Sequence, residues 1–315
     1  MTRFRWSLVV AGGVVVAQLI SPAASAATGE RATADSISRA VPLGEGFVAI
    51  PLGVFDIGSP AGEPGRFGDE TQHRVTLTRP FALCDHSVTQ AEWQAVMGTN
   101  ESQFAGSPQC PVENVSWFDC VEFCNRLSQR EHRALAYTIR NPQYDDGHMT
   151  SANVTWNRDA FGYRLPTEAE WERACRAGRA TAYYNGAVSV PDPTHCAADS
   201  VLDAISWYCA NAGGRTHDVK TKAPNAWGLY DMLGNVQQWC WDFFLRFGDF
   251  PTVDPCGPAS GTVHVWRGGG WSYQPDHCRS ADRGRDVPDG HFSVIGMRLA
   301  RSLPAAPLGV IRRVR

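Results

Sequence analysis

Hydrophobic and polar positions in this chain keep no single period for long. Val54-Phe55-Asp56-Ile57-Gly58 alternates and ends at glycine, which predicts a strand, and His73-Arg74-Val75-Thr76-Leu77-Thr78 predicts its returning partner. Between them, residues 59–73 are rich in Gly, Pro and charge and read as a surface loop. Thr89-Gln90-Ala91-Glu92 sets threonine three residues before glutamate, a capping box, so a short helix should run to Met97 and stop at Gly98. Ser116 is the expected N-cap of a second helix, with Trp117, Cys120, Val121, Cys124 and Leu127 on one face. Thr167 and Glu170 make another box, opening a third helix for which Gly178 is a natural stop. Glu168, Glu170 and Glu172 crowd its first turns, where the helix dipole favours carboxylates. Asp145-Asp146-Gly147-His148 could suggest a metal loop, but polar flanks make it a hairpin turn.

One stretch breaks the pattern. Gly228 to Asp242 has no clean helical or strand period, two glycines interrupt it, and aromatic residues stand close by. Such a segment is expected to be held by specific contacts or by an ion, not by a regular ladder.

Composition agrees with an irregular fold. Thirty glycines, 20 prolines and 11 tryptophans predict an aromatic core carrying many loops. The first residues read as a secretory signal: Arg3 and Arg5, the apolar run Leu8–Ile20, and the small residues Ala24-Ser25-Ala26. Residues 1–26 are therefore expected to be removed on export to the periplasm or the medium, with 27–43 a loose linker and no membrane span left in the mature chain. Removal takes two arginines, leaving 27 basic against 32 acidic residues, a formal charge of −5 instead of −3. That mild acidity argues against a nucleic-acid partner. All ten cysteines lie beyond the signal, an even count that suggests disulfides of undetermined connectivity. Cys120 and Cys124 share a helix face, but without a nearby His or third Cys they read as core or bridge residues rather than metal ligands. His217, His264, His277 and His291 show no ligand-like spacing and read as surface or satisfied core residues. No Gly-x-Ser-x-Gly elbow, phosphate loop or His-Glu-x-x-His helix is present.

Several motifs, in order, carry a resemblance. They are Val88-Thr89-Gln90-Ala91-Glu92-Trp93, Pro111 to Trp117, Tyr163-Arg164-Leu165-Pro166-Thr167-Glu168-Ala169-Glu170-Trp171-Glu172, Gly228 to Asp242, Arg267-Gly268-Gly269-Gly270-Trp271 and Gly296-Met297-Arg298-Leu299-Ala300. Together they resemble the formylglycine-generating enzyme, or sulfatase-modifying factor, family over residues 44–303, leaving 304–315 as a tail. The resemblance implies one α+β domain of irregular, C-type-lectin-like fold with little regular secondary structure. It implies a structural calcium held by the Asp231 carboxylate, the Gly234 and Val236 carbonyls and the Gln238 amide oxygen, all hard oxygen donors. A second family calcium site would use Asn211 and the Ala212 carbonyl, although its carboxylate-bearing segment is missing.

The family's chemistry is the oxygen-dependent oxidation of a sulfatase cysteine to formylglycine on a copper(I) ion held by two thiolates. Those cysteines stand two and seven residues after the tryptophan of the glycine-rich motif, which is Trp271 here. The corresponding residues are Tyr273 and Cys278, so the pair is incomplete and copper is not expected. The chain is also about three residues shorter than the oxidases between Trp271 and Arg283, and Cys278-Arg279-Ser280-Ala281-Asp282-Arg283 resembles an arginine-rich structural segment of diverged relatives. A family disulfide joins the Cys175 position to the strand near Ser280, so Cys175 and Cys278 are expected to be neighbours and bonded. Two functions follow from the resemblance. One is an exported member with diverged chemistry acting on an exported protein such as a sulfatase. The other is a non-catalytic lectin-like module that binds a glycan or a protein.

Overall fold

The computed structural model describes residues 46–305. The expected signal 1–26, the linker 27–43 and all but the first two residues of the tail 304–315 lie outside the described residues. In chain order the elements are β1 (Phe47–Ala49), β2 (Gly53–Ile57), β3 (His73–Leu77), β4 (Phe81–Cys84), α1 (Gln90–Met97), α2 (Trp117–Arg130), β5 (Tyr137–Asp145), β6 (His148–Trp156), β7 (Tyr163–Arg164), α3 (Glu168–Arg176) and α4 (Ser200–Asp203). They continue with β8 (Gln237–Phe243), β9 (Thr252–Val253), β10 (His264–Arg267), a 3-10 turn (Pro275–Cys278), β11 (Arg283–Asp286), β12 (Ile295–Gly296) and β13 (Ala300–Ser302).

Local signals account for most of these elements. Thr89, Ser116 and Thr167 each cap a helix reciprocally with Glu92, Asp119 and Glu170. Helix α1 stops at Gly98, whose φ of 91° closes the last turn. Helix α3 stops one residue before the expected glycine, because Ala177 already takes the left-handed conformation at φ 46°. Strands β2 and β3 pair antiparallel, and β5 and β6 form a long hairpin whose turn residues Asp146 and Gly147 both have positive φ.

The strands assemble into two four-stranded sheets, in the orders β1-β4-β13-β7 and β11-β10-β8-β12, beside the three-stranded β2-β3-β9 and the β5-β6 hairpin. The second half of the aperiodic stretch corrects an expectation. Gln237–Phe243 is strand β8, an inner strand of the second sheet. Most of its residues are buried on both faces, which erases the alternation that marks a half-buried strand. Two tryptophans tie β8 to the start of α2: Trp239 Nε1 donates to the Val115 carbonyl at 3.0 Å, and Trp117 Nε1 of α2 donates to the Cys240 carbonyl at 2.9 Å.

Helix α3 corrects a second expectation. Its carboxylates are buried, and arginines from the neighbouring strands neutralise them. Glu170 pairs with Arg164 of β7 at 2.7 and 2.8 Å, and Glu168 pairs with Arg283 of β11 at 2.8 and 2.6 Å. Glu172 pairs with Arg176 one turn later at 2.8 Å and with Arg267 of β10. The helix dipole is thus a minor contribution beside an ion-pair network that fastens α3 to both four-stranded sheets.

Candidate functional site

The site begins at the glycine-rich turn after β10. Gly268 and Gly269 have φ of 105° and 66°, and a Cβ on Gly269 would stand 2.6 Å from the His277 carbonyl and 2.7 Å from Cys278 Sγ. A glycine is required there for the 3-10 turn to pack against the backbone. Two hydrogen bonds clasp this turn to the loop before β8: Gly234 N–H donates to Gly268 O at 2.7 Å and Trp271 N–H donates to Asn235 O at 2.9 Å. The Tyr273 carbonyl accepts the N–H of Cys209 at 3.1 Å, and Cys209 is bridged to Cys196.

Tyr273 and Cys278 therefore sit on one short segment but in different surroundings. The Tyr273 ring is half-buried, with centroids 6.2 Å from Trp266 and 5.2 Å from His277, and His277 stacks on Phe67 at 4.9 Å. Burial raises the pKa of its phenol. Cys278 is fully buried against the Ser206 hydroxyl, and burial holds its thiol protonated. Beneath Tyr273 lie polar groups without a well-formed hydrogen-bond partner among the described residues: both amide atoms of fully buried Gln237, Trp266 Nε1 and Asp282 Oδ2. His277 Nδ1 stands 3.5 Å from Asp282 Oδ1, at the limit of a hydrogen bond. Burial opposes the charge on His277, but Asp282 outweighs it and raises the imidazole pKa, while burial raises that of Asp282. Aromatic faces beside buried, under-satisfied donors and acceptors suit a ligand with both apolar and polar parts. They do not supply a thiolate pair. The signal for this group in the sequence was a departure from the family motif, Tyr273 for a cysteine.

The expected calcium ligands lie in the same clasped loop. Asp231 is 2% exposed, and its carboxylate accepts the Lys220 N–H at 2.7 Å and lies against the Asn235 amide. Gly234 and Val236 flank Asn235 in the buried turn. The fourth ligand does not fit. Gln238 Oε1 accepts Trp171 Nε1–H and Arg298 Nε–H, each at 2.8 Å. Both partners are donors only, so the amide orientation is fixed and Nε2 points at the Asp231 carbonyl, 2.8 Å away. A glutamate there could satisfy those donors with one oxygen and an ion with the other, but a glutamine cannot. The Arg298 guanidinium donates also to the carbonyls of Tyr230 at 2.6 Å, Cys84 at 2.8 Å and Asp231 at 3.1 Å. The second set is likewise engaged. Asn211 Oδ1 accepts the Tyr208 N–H at 2.9 Å, and the Ala212 carbonyl accepts from His217 Nε2 at 2.8 Å.

The expected Cys175–Cys278 bond is also corrected: both thiols are free. Cys175 Sγ faces Ser280 Oγ at 3.5 Å. Residues two apart share a face only in an extended strand, and Cys278 ends a 3-10 turn instead.

The match to the model of the sulfatase-modifying factor enzyme 1-like domain runs over residues 33–303. A chaperone protein LppX of Paenibacillus barcinonensis is 32% identical over 250 residues, spanning 72% of this chain and 82% of its own length. A formylglycine-generating enzyme of Streptomyces coelicolor is 29% identical, spanning 89% of this chain and 94% of its own. Among solved structures, the Treponema denticola variable protein 1 superimposes with a TM-score of 0.70 at 33% identity, covering 81% of this chain and 94% of that one.

Proposed function

Because this chain belongs to the sulfatase-modifying factor, or formylglycine-generating enzyme, family and has its C-type-lectin-like fold, we propose that it is an exported member that binds a ligand at Tyr273 rather than oxidising cysteine. One observation carries this reading. Where the family places two copper thiolates, this chain has a half-buried phenol and a buried, protonated thiol, above buried polar atoms of Gln237, Trp266 and Asp282 that have no well-formed hydrogen-bond partner among the described residues. A phenol is a hard donor and mostly protonated at neutral pH, so Tyr273 cannot replace a soft thiolate. Its ring with Trp266, His277 and Phe67 offers stacking faces, and Gln237 and Asp282 offer hydrogen bonds, a combination that suits a sugar ring or a polar protein segment. The name of the Paenibacillus relative, a chaperone protein, favours a protein as the ligand. We propose further that Arg298, not calcium, holds the loop before β8.

Binding of the tag-free chain to arrays of glycans and of extended peptides tests the proposal. Signals lost in Tyr273→Ala but kept in an exposed-surface variant such as Leu245→Ala are expected. Signals unchanged in Tyr273→Ala would place the binding face elsewhere. The His277–Asp282 pair favours a second reading, acid–base chemistry on a bound ligand. Turnover of a retained ligand that His277→Ala abolishes would support it.

A further inference from the structure

Away from Tyr273, the fold brings together three side chains that are far apart in sequence. Asp119 comes from the first turn of α2, His148 is the first residue of β6, and His291 lies in the loop after β11. Asp119 Oδ2 is 2.9 Å from His291 Nε2 and 3.4 Å from His148 Nδ1, and the three donor atoms lie within 4.8 Å of one another. The imidazole rings meet edge to face with centroids 4.7 Å apart. Both histidines are about 30% exposed and the carboxylate 5%, so the donors are held from beneath and reached from solvent.

We propose that Asp119, His148 and His291 bind one divalent first-row transition-metal ion, such as zinc or iron(II), through a two-histidine, one-carboxylate face that leaves coordination positions open. Metal–ligand bonds of about 2.0–2.1 Å place donors 2.9 and 3.4 Å apart at angles of about 90° and 110° at the ion. These angles are those of octahedral and tetrahedral sites, and this donor set with open positions suits such ions.

The supports around the three residues match what a metal site needs. Asp119 Oδ2 is fixed by the Ser116 N–H at 3.0 Å, the reciprocal half of the capping box. The Asp289 carbonyl lies near the His291 ring, the kind of outer partner that orients a metal-bound imidazole. The Pro288 carbonyl accepts the Phe118 N–H at 3.3 Å and the Phe292 carbonyl accepts the Asn114 N–H at 3.0 Å, which pins the histidine loop over the start of α2. The positive-φ turn at Asp146 and Gly147 delivers His148 to the same place. Sequence spacing could not reveal the group, since the nearest pair is 29 residues apart.

The test uses the full mature chain without a histidine tag, stripped with chelator and titrated with zinc and with cobalt(II). One zinc per chain, retained through gel filtration, and a cobalt d–d spectrum are expected. His148→Ala and His291→Ala should each weaken zinc binding at least tenfold, while His195→Ala, at an exposed histidine, should not. His148 stands beside the turn of the β5–β6 hairpin, outside the core, so its variant should melt at the wild-type temperature, which separates lost binding from misfolding. Less than a tenth of an equivalent of zinc in the wild type, or equal affinity in wild type and both variants, would overturn the proposal.

Discussion

His264 makes a sharp test of how the core handles charge. It is 2% exposed, held between the rings of Trp117 at 3.8 Å and Phe243 at 4.0 Å, and its Nδ1 meets the Trp241 carbonyl at 2.9 Å. Burial lowers its pKa to about 4. In the unfolded chain a histidine titrates near 6.5. Between these values the unfolded state binds the proton and the folded state does not, so stability rises with pH there. The contribution is fully present above about pH 6.5 and is lost as pH falls toward 4. From pH 7.5 to 4.5 the loss should be about 2–3 kcal/mol, and at lower pH it should approach about 3–4 kcal/mol. Urea unfolding of wild type and His264→Gln at both pH values measures it. The difference between the two proteins should change by that amount. Groups present in both proteins cancel, including His277 and His291, whose raised pKa values act in the opposite sense. A difference that stays constant within about 0.5 kcal/mol would refute the idea that the imidazole is kept neutral by burial.

Three further outcomes are expected. Glu172→Gln leaves Arg176 buried without its paired carboxylate and Arg267 with only Glu168, at 3.3 Å, and should lower stability by about 3 kcal/mol in urea; a loss under about 1 kcal/mol would mean that the network is not what secures α3. Chelators or excess calcium should leave the melting temperature of the wild type unchanged, whereas Gln238→Glu, which restores a second acceptor oxygen, should make it rise with calcium; a rise of several degrees in the wild type would show that Gln238 presents oxygen to an ion after all. Incubated with copper, reductant and air, the protein should leave the cysteine of a Cys-x-Pro-x-Arg peptide unmodified by mass spectrometry, beside an active oxidase as control; conversion would place it among the oxidases.

What was legible in the chain was local. Two capping boxes, the Ser116 N-cap, the β2–β3 pair and the Asp146-Gly147 turn depend on residues within a few positions of one another, and they stand where the pattern put them. Strand β8 was hidden because burial on both faces removes its alternation. The glutamates of α3 looked like dipole partners because their arginines arrive from strands elsewhere in the chain. Cys278 was misplaced by assuming an extended segment where a 3-10 turn forms. The Asp119–His148–His291 group was out of reach for the same kind of reason: Asp145 to His148 reads correctly as a turn, and nothing local says what that turn leans against.

Eight of the ten cysteines are unbridged, and all but Cys256 among them are buried. A thiol reagent reaches a buried sulfur only when its surroundings open, so each of these residues times the breathing of its own neighbourhood. Cys120 and Cys124 report on α2, Cys175 on the end of α3, Cys240 on β8 and Cys278 on the turn beneath Tyr273. Labelling rates read by mass spectrometry would rank these regions from first to last to open, without introducing a single probe. A ligand seated at Tyr273 would slow Cys278 before it slowed Cys120.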